Sequence, residues 1–442
     1  MEAGLFRFLR FSLGLEGEVE GLLDSRKGAF DWDACYQFAK RQTLVGVLFD
    51  GIQRLPKELA PTRPLLLRWL SDSESIRRRN MRMDRASAYV YNKVCAAGFR
   101  CCILKGQGNA LLYPHPSSRI PGDVDVWVMA NREELRHIAL SLTEGDGSSL
   151  QESLNHIGLT VHGVSVELHS TPALLNSPLH NSRLQKWLKR NADLQCSNRI
   201  ALPNNAGEVA VPTVSFNIIY QLCHLFHHCF YEGVGLRQIV DYYFVLKNTD
   251  FSGNTNGASG NTDCFSGNTD CDGVLSNTDF TDNTDRIGGN AESDGSLMNT
   301  DCTDFTDSSS GGVVEVDSGG ALVALQEELK WLGLWEFAGA VMYVLREVMG
   351  LDEKRMICAP DDRRGRLLLE EIMDGGNFGH YDERNHFGQG TLWHNIQRFR
   401  RDWRMLRFYP SEALSEPLFR VCHFLWRWKQ KHIGMPKERN LN

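Results

Sequence analysis

The chain lacks several features that define whole classes of protein. No apolar run approaches the ~20 residues needed to span a bilayer, although 42% of the 442 residues are hydrophobic. None of the twelve cysteines belongs to a Cys-x-x-Cys pair, so no zinc-site spacing is present, and their scatter favours reduced thiols over a disulfide framework. The first residues, "MEAGLFRFLRFSLGLEGEVEGLL", lack the clean apolar centre of a signal peptide and predict an amphipathic helix. We therefore expect a cytoplasmic protein with no membrane partner.

One segment, residues 248–320, is poor in apolar side chains and repeats "SGNTD" or "NTD". Such a composition cannot bury enough surface to offset its chain entropy, so it predicts a disordered insertion rather than a calcium-binding repeat. The segment holds twelve Asp, two Glu and one Arg, a net charge of −13 against −7 for the whole chain. The remainder therefore carries +6, which favours a phosphate-rich partner.

The periodicity of apolar residues divides the rest of the chain. It predicts an N-terminal helical region over 1–97, an α/β core over 98–205, and helical regions over 206–247 and 321–442. Within the core, "FRCCIL", "RIPGDVDVWVM" and the two halves of "LTVHGVSVELHS" predict strands, the last two joined at His162-Gly163. "NREELRHIALSL" predicts a helix with Asn131 as its N-cap and Glu134 three residues on.

The stretch "PGDVDVWV" alternates valines with two aspartates and a tryptophan. Because strand side chains alternate faces, the valines point into a core, while Asp123, Asp125 and Trp127 share the opposite face. Two neighbouring carboxylates repel, and a hard divalent cation is the usual compensation. For a lone Asp-x-Asp, a turn followed by a solvated Asp125 is the simpler interpretation, so the surrounding motifs decide.

Two further motifs flank this pair. "ILKGQGN" runs from a strand into Lys105 and a glycine turn, and "SVELHS" places Glu167 on a later strand. If that strand lies beside the Asp-x-Asp strand, three carboxylates converge, as metal-assisted phosphoryl transfer requires. Backbone amides near Gly106 can approach phosphate oxygens, and Lys105 either adds a positive charge there or is a strand-end lysine in solvent.

The glycine turn, the Asp-x-Asp strand and the later acidic strand resemble the polymerase-beta-like nucleotidyltransferase fold. The finer resemblance is to the bacterial group called uncharacterised nucleotidyltransferases. It rests on five stretches: "WDACYQFAKRQTLVGVLFDGI", "LKGQGNALLYPHPSSRIPGDVDVWV", "VELHST", "GVGLRQIVDYYFVL" and "EEIMDGGNFGHYDER". The wider superfamily usually has Gly-Ser or Gly-Gly where this chain has Gly106-Gln107.

This resemblance implies an α+β protein in which a small mixed sheet is flanked by helical regions. It implies that Asp123, Asp125 and Glu167 hold Mg²⁺ or Mn²⁺ and that Gly106 and Gln107 lie in the phosphate-facing turn. The reaction implied is transfer of a nucleoside monophosphate from a nucleoside triphosphate, ATP among them, to a hydroxyl or phosphate. The acceptor stays open among a small molecule, a glycan precursor, a protein and RNA. Two alternatives are an inactive nucleotide-binding or scaffold module and a toxin-like transferase acting on tRNA.

Four other features allow two interpretations each. Arg119 either binds the triphosphate or forms a salt bridge with one of the aspartates. Arg237 either binds a phosphate or forms an ion pair with Asp241 one helical turn away. The histidines of "HLFHHCF" at helical spacing either bind a metal or, as we favour, lie on an amphipathic helix. The loop "GGNFGHY" is a cap or a lid. In "LWHNIQRFRRDWRMLRFYPS" we expect the aromatic residues in a core rather than against nucleic acid.

Overall fold

The computed structural model describes residues 2–18, 21, 30–143, 150–249, 318–381 and 391–433. Most of the predicted insertion, 248–320, lies outside these residues. Within them the fold is α+β, with a five-stranded mixed sheet and a small two-stranded sheet. None of the helices in the described ranges combines the length and apolar character that crossing a membrane requires.

The five-stranded sheet carries the motifs that alternate in sequence. Its strands, in chain order, are β1 (Cys101–Leu104), β2 (Val124–Val128), β3 (Gln151–Glu152), β4 (His156–Val161) and β5 (Val164–His169). The spatial order is β1-β2-β5-β4-β3, and all pairings are antiparallel except the parallel pair of β2 and β5. Strands β6 (Arg199–Leu202) and β7 (Gly207–Ala210) form the small antiparallel sheet.

Helices precede and follow the sheet. Those before β2 are α1 (Glu2–Ser12), α2 (Trp32–Arg41), α3 (Val45–Gln53), α4 (Arg63–Ala96) and the short α5 (Gly106–Ala110). Next come α6 (Arg132–Leu142), α7 (Pro178–Ser197), α8 (Val214–Tyr231) and α9 (Leu236–Lys247). The C-terminal helices are α10 (Ser318–Trp331), α11 (Trp335–Val344), α12 (Asp362–Gly375), α13 (Thr391–Leu406) and α14 (Pro410–Ile433). Single turns of 3₁₀ helix span Lys57–Leu59, Pro116–Ser118, Pro203–Asn205, Glu353–Arg355 and Asn377–Gly379, and a π turn, Leu345–Met349, continues α11.

Local signals in the core predict the structure well. The hairpin of β4 and β5 turns at His162 and Gly163, which both have positive φ, the backbone of a tight two-residue hairpin turn. Helix α6 begins with a capping box in which Asn131 accepts from the amide of Glu134 and the Glu134 carboxylate accepts from the amide of Asn131. The predicted amphipathic N-terminal helix is also confirmed, since α1 buries one face in the core.

Both faces of β2 are buried. The three valines enter the core as expected, and on the opposite face Trp127 stacks on Phe216 of α8 at 5.8 Å between ring centroids. Asp125 on that same face is only 5% exposed. The alternative of a solvated Asp125 is therefore wrong, because α8 covers the face on which it lies.

The expectation that the C-terminal aromatic residues pack in a core is wrong for two of them. Phe399 and Trp403, one turn apart on α13, are 60% and 68% exposed. The buried face of this region instead carries Asp402, Met405 and Tyr409. Aromatic and polar side chains interleave here, so composition alone did not identify the inner face.

Candidate active site

Three carboxylates meet on one face of the sheet because of strand register. Asp125 of β2 is the direct partner of Glu167 of β5, as expected if these strands are neighbours. Asp123 lies two residues before Asp125 and therefore on the same face. Their carboxylate oxygens lie within 4.8 Å of one another.

The protein neutralises only part of this negative charge. The neighbouring Asp125, together with burial, raises the pKa of Asp123 to about 6. Burial also raises the pKa of Asp125, but Lys105 and His169 outweigh it and the net pKa falls well below the usual value. Lys105 Nζ lies 3.1 Å and His169 Nε2 3.0 Å from the Asp125 carboxylate. Asp125 is thus the neutralised member of the pair and Asp123 the member left in repulsion.

Two histidines that we did not predict complete the cluster. His169 Nε2 lies 3.3 Å from Glu167 Oε2, and His156 Nε2 lies 3.7 Å from Glu167 Oε1. Burial lowers the pKa of His169, but hydrogen bonds to Asp125 and Glu167 outweigh it and raise the pKa to about 9. The same contacts hold the pKa of Glu167 below its usual value against the opposing effect of burial. A sequence signal existed, because a hairpin turn at 162–163 pairs residue 156 with residue 169.

The turn after β1 positions Lys105. Its φ of 48° and ψ of −127° are unfavourable for a residue with a Cβ and typical of strain held at functional sites. The ammonium lies between Asp125 and His224 Nε2, the latter at 3.2 Å. Burial keeps the pKa of His224 well below its ordinary value, so the neutral imidazole accepts from Lys105. Gly106 follows with a φ of 36° and lines the cavity beside the carboxylates.

The structure does not bring Gln107 to the carboxylates. Its side chain is buried and its amide donates to Asp84 Oδ1 on α4. Burial raises the pKa of Asp84 to about 6. Of this turn, Lys105 and Gly106 line the cavity beside Asp123 and Asp125, and Gln107 does not.

A buried guanidinium pair lies next to Asp123. Arg119 donates from Nε and Nη2 to both oxygens of Asp241 at 2.7 Å, and Tyr113 donates to the same carboxylate at 2.7 Å. The salt bridge considered for Arg119 therefore exists, but with Asp241 rather than with a carboxylate of the cluster. Arg237 Nη1 donates to the carbonyl of Ile120 at 2.9 Å instead of bonding to Asp241.

Two cavities meet at the carboxylates. The charged residues that line the smaller cavity, about 60 Å³, are Lys105, Arg119, Arg237, Asp123, Asp125 and Asp241. The larger, about 470 Å³, also includes Asp123 and Asp125, and its other titratable lining residues include Glu167, His156, His169, His224, His227, His228, Glu232 and His423. Arg119 and Arg237 thus line one side of the cluster, and the other side is rich in histidine.

The loop "GGNFGHY" reaches this junction. Helix α12 ends at Gly375, close to the predicted end at Asp374, and Phe378 lines both cavities. Its ring centroid lies 5.9 Å from the Arg237 guanidinium and 5.0 Å from the His228 ring. Phe378 therefore places this loop against both cavities beside the carboxylates.

The "HLFHHCF" histidines lie on helix α8, as we favoured, and all three are partly buried. Burial lowers the pKa of His227 to about 3, and His228 Nδ1 lies 3.3 Å from the carboxylate of Glu232 one turn later. In the part of the chain that the structure describes, these residues do not belong to a group with metal-binding spacing.

A protein-family profile matches the chain. The profile of the family described as "Uncharacterised nucleotidyltransferase" matches residues 28–256, just over half of the chain, and this range includes Lys105, Arg119, Asp123, Asp125, Glu167 and Arg237. No curated protein and no solved structure matches the chain. With a family match of this extent and a mixed sheet that carries its acidic motifs, the chain belongs to the uncharacterised nucleotidyltransferase family.

Proposed function

We propose that this protein is a metal-dependent enzyme that transfers a nucleoside monophosphate from a nucleoside triphosphate to an acceptor hydroxyl or phosphate and releases pyrophosphate. Nucleotidyl transfer is the general activity of its family. The observation that carries the finer proposal is the meeting of Asp123, Asp125 and Glu167 beside a cavity lined by three cationic side chains.

The donor set fits a divalent cation such as Mg²⁺ or Mn²⁺. Three carboxylates from two strands offer oxygen atoms within 4.8 Å of one another, and hard cations prefer oxygen ligands. The raised pKa of Asp123 reflects repulsion from Asp125, together with burial, that Lys105 offsets only in part. When bound, metal ions would withdraw charge from the phosphate oxygens and help orient the reacting groups.

The smaller cavity, which Arg119 and Arg237 line, is the place we propose for the triphosphate. Arg119 and Arg237 carry two positive charges, and Asp241 compensates one of them. Arg119 Nη1 and Arg237 Nε are buried and lack a hydrogen-bond partner among the described residues. A buried donor without an acceptor costs about 1–3 kcal/mol. Phosphate oxygens bound in the cavity would accept hydrogen bonds from these two arginine nitrogens and remove that cost. Lys105 and the Gly106 backbone line the same cavity.

The histidine-rich cavity favours the acceptor on the side of Glu167. The Glu167 carboxylate has a lowered pKa and is therefore ionised at neutral pH, as a general base must be. The acceptor oxygen forms a bond to the α-phosphorus while the bond from that phosphorus to the pyrophosphate oxygen breaks. The hydroxyl proton passes to Glu167, and the electron pair of the broken bond leaves with pyrophosphate. A phosphate acceptor that is already ionised needs no such proton transfer.

The proposal is tested with each of the four nucleoside triphosphates labelled at the α-phosphate, incubated with Mg²⁺ or Mn²⁺ and cell extract as a source of acceptors. The wild type should transfer label to an acceptor, and Asp125→Asn should lose the transfer by about 10²-fold or more. Asp193→Asn is the matched control, because Asp193 is 77% exposed in a surface ion pair with Arg100.

Transfer that is independent of metal, or equal in the wild type and Asp125→Asn, would refute the proposal. Tight nucleotide binding that needs no metal, with no transfer from any triphosphate, would instead support the binding-module alternative. Calorimetry with and without EDTA measures that binding directly.

A further inference from the structure

A second group of potential metal ligands shares Glu167 with the carboxylate cluster. His156 Nε2 or Nδ1, a Glu167 oxygen and a ring nitrogen of His169 lie within 4.8 Å of one another. The two rings are 5.1 Å apart at their centroids and tilted by 52°. The group therefore contributes nitrogen donors to a site that would otherwise contain oxygen alone.

The register of the sheet assembles this group. His156 of β4 is the direct partner of His169 of β5, and Glu167 lies two residues before His169 on the same face. Glu167 is in turn the direct partner of Asp125. A continuous row of donors thus crosses three adjacent strands, fixed by backbone hydrogen bonds rather than by a mobile loop.

The arrangement around His169 points to a cation. Its Nε2 lies 3.0 Å from Asp125 Oδ1 and 3.3 Å from Glu167 Oε2. A single N–H is shared between these two acceptors, whereas a metal ion, which replaces that proton, bonds several converging donors at once. His169 is 6% exposed, so solvent does not readily serve these atoms in its place.

We propose that one ion of the carboxylate cluster is held by Glu167, His169 and His156, and that this position takes a first-row divalent transition metal in preference to Mg²⁺. Imidazole nitrogen suits transition metals, whereas Mg²⁺ strongly favours oxygen and water. The proposal rests on the proposed function only in placing this ion next to the one held by Asp123 and Asp125. It makes the site chemically asymmetric, with an oxygen-only position and a mixed nitrogen–oxygen position.

Mn²⁺ alone is the probe, because its electron spin detects directly bonded nitrogen. Full-length protein free of nucleotide is titrated with Mn²⁺, and bound ions are counted by electron paramagnetic resonance. Electron spin echo modulation should show ¹⁴N coupling in unlabelled protein, replaced by ¹⁵N coupling in protein labelled with [¹⁵N]histidine. When Mg²⁺ is added as a competitor, the nitrogen-coupled Mn²⁺ should be displaced only at higher Mg²⁺ concentrations than the Mn²⁺ bound by oxygen alone.

His156→Gln should remove part of the nitrogen coupling and weaken the affinity of that ion by roughly tenfold or more, since the loss of even an outer ligand partner costs about 10- to 100-fold. His156 is half-buried, with a side chain 24% exposed, so the sheet should tolerate this change. His162→Asn is the matched control: this histidine lies at the exposed tip of the same hairpin, where its positive φ suits asparagine.

Bound Mn²⁺ without histidine nitrogen coupling would overturn the inference, as would coupling that is unchanged in both His156→Gln and His169→Gln. Failure of the proposed function has a different signature, namely nitrogen-coupled Mn²⁺ with no transfer from any nucleoside triphosphate. Transfer supported equally by Mg²⁺ and Mn²⁺, with oxygen-only coordination, would retain the enzyme and remove the histidine site.

Discussion

Replacing Asp123 with asparagine should stabilise the metal-free protein while weakening its stabilisation by divalent cations. The neighbouring Asp125 and burial raise the pKa of Asp123 from 3.8 to about 6, against the opposing attraction of Lys105. An elevated pKa means that ionisation is less favourable in the folded chain than in the unfolded one. Asparagine preserves the shape of the side chain and removes the charge.

The size of the effect follows from the pKa values. A shift of about two pKa units corresponds to roughly 3 kcal/mol at most, at 1.36 kcal/mol per unit. Unfolding entropy of about 2.1 cal/mol/K per residue, counted over the residues outside the predicted insertion 248–320, converts this to an increase of up to about 4 °C in Tm. Smaller gains are expected where solvent screens the repulsion.

The sign of the pH dependence provides a second, independent measurement. Between pH 3.8 and about 6 the folded chain binds more protons at Asp123 than the unfolded chain does, so this residue costs stability as the pH rises. The wild type and Asp123→Asn should therefore melt alike near pH 4 and diverge until the pH exceeds 6. Calorimetry in EDTA measures both proteins across this range.

Adding Mg²⁺ or Mn²⁺ should then reverse the order of stability. A ligand that binds only the folded state stabilises it in proportion to the logarithm of its concentration over Kd, and Asp123→Asn has lost one of the ligands. If the variant melts below the wild type in EDTA at pH 7, or gains as much from metal, the carboxylates do not form a repelling metal site and the reasoning fails.

Three other changes separate structural from functional residues. Asp241→Asn leaves Arg119 buried beside a neutral partner and should lower the free energy of unfolding by about 3–5 kcal/mol, which urea denaturation measures as a lower midpoint. The double variant Arg119→Met, Asp241→Leu should recover much of this loss. If it does not, the ion pair is not the source of the loss. Gln107→Leu should leave the KM for nucleoside triphosphate unchanged, because the side chain contacts Asp84 rather than the carboxylates; a raised KM would contradict this placement. Lys105→Met should lower kcat by about 10²-fold without unfolding the protein, and steady-state kinetics beside circular dichroism distinguishes this from a merely structural lysine.

Much of the central sheet could be predicted because its signals are local. Alternation defines β2 and β5, the tight turn defines their hairpin neighbour β4, and the capping box defines the start of α6. Only one long-range assumption, that β5 lies beside β2, was needed to bring Glu167 to the aspartates. The acidic cluster was therefore accessible from sequence.

The partners of the cluster were harder to find because they depend on longer-range geometry. Asp241 is 122 residues from Arg119, and His224 is 119 residues from Lys105, separations at which a single sequence gives no pairing signal. His156 needed the hairpin register to be counted back from its turn. Gln107 was misleading because its buried amide donates to Asp84, which lies 23 residues away in sequence.

The positions of the positively charged side chains explain how a folded protein can keep three neighbouring carboxylates. Asp125 is the most buried of the three carboxylates, and Lys105 and His169 both contact it. The backbone of Lys105 is strained where it carries this ammonium, and such strain costs about 1–3 kcal/mol. Asp123 lies at the junction of both cavities, and its carboxyl keeps a raised pKa. Another lysine or arginine side chain beside Asp123 would occupy the space between the two cavities. A bound ligand can neutralise the remaining negative charge of Asp123 without filling that space permanently.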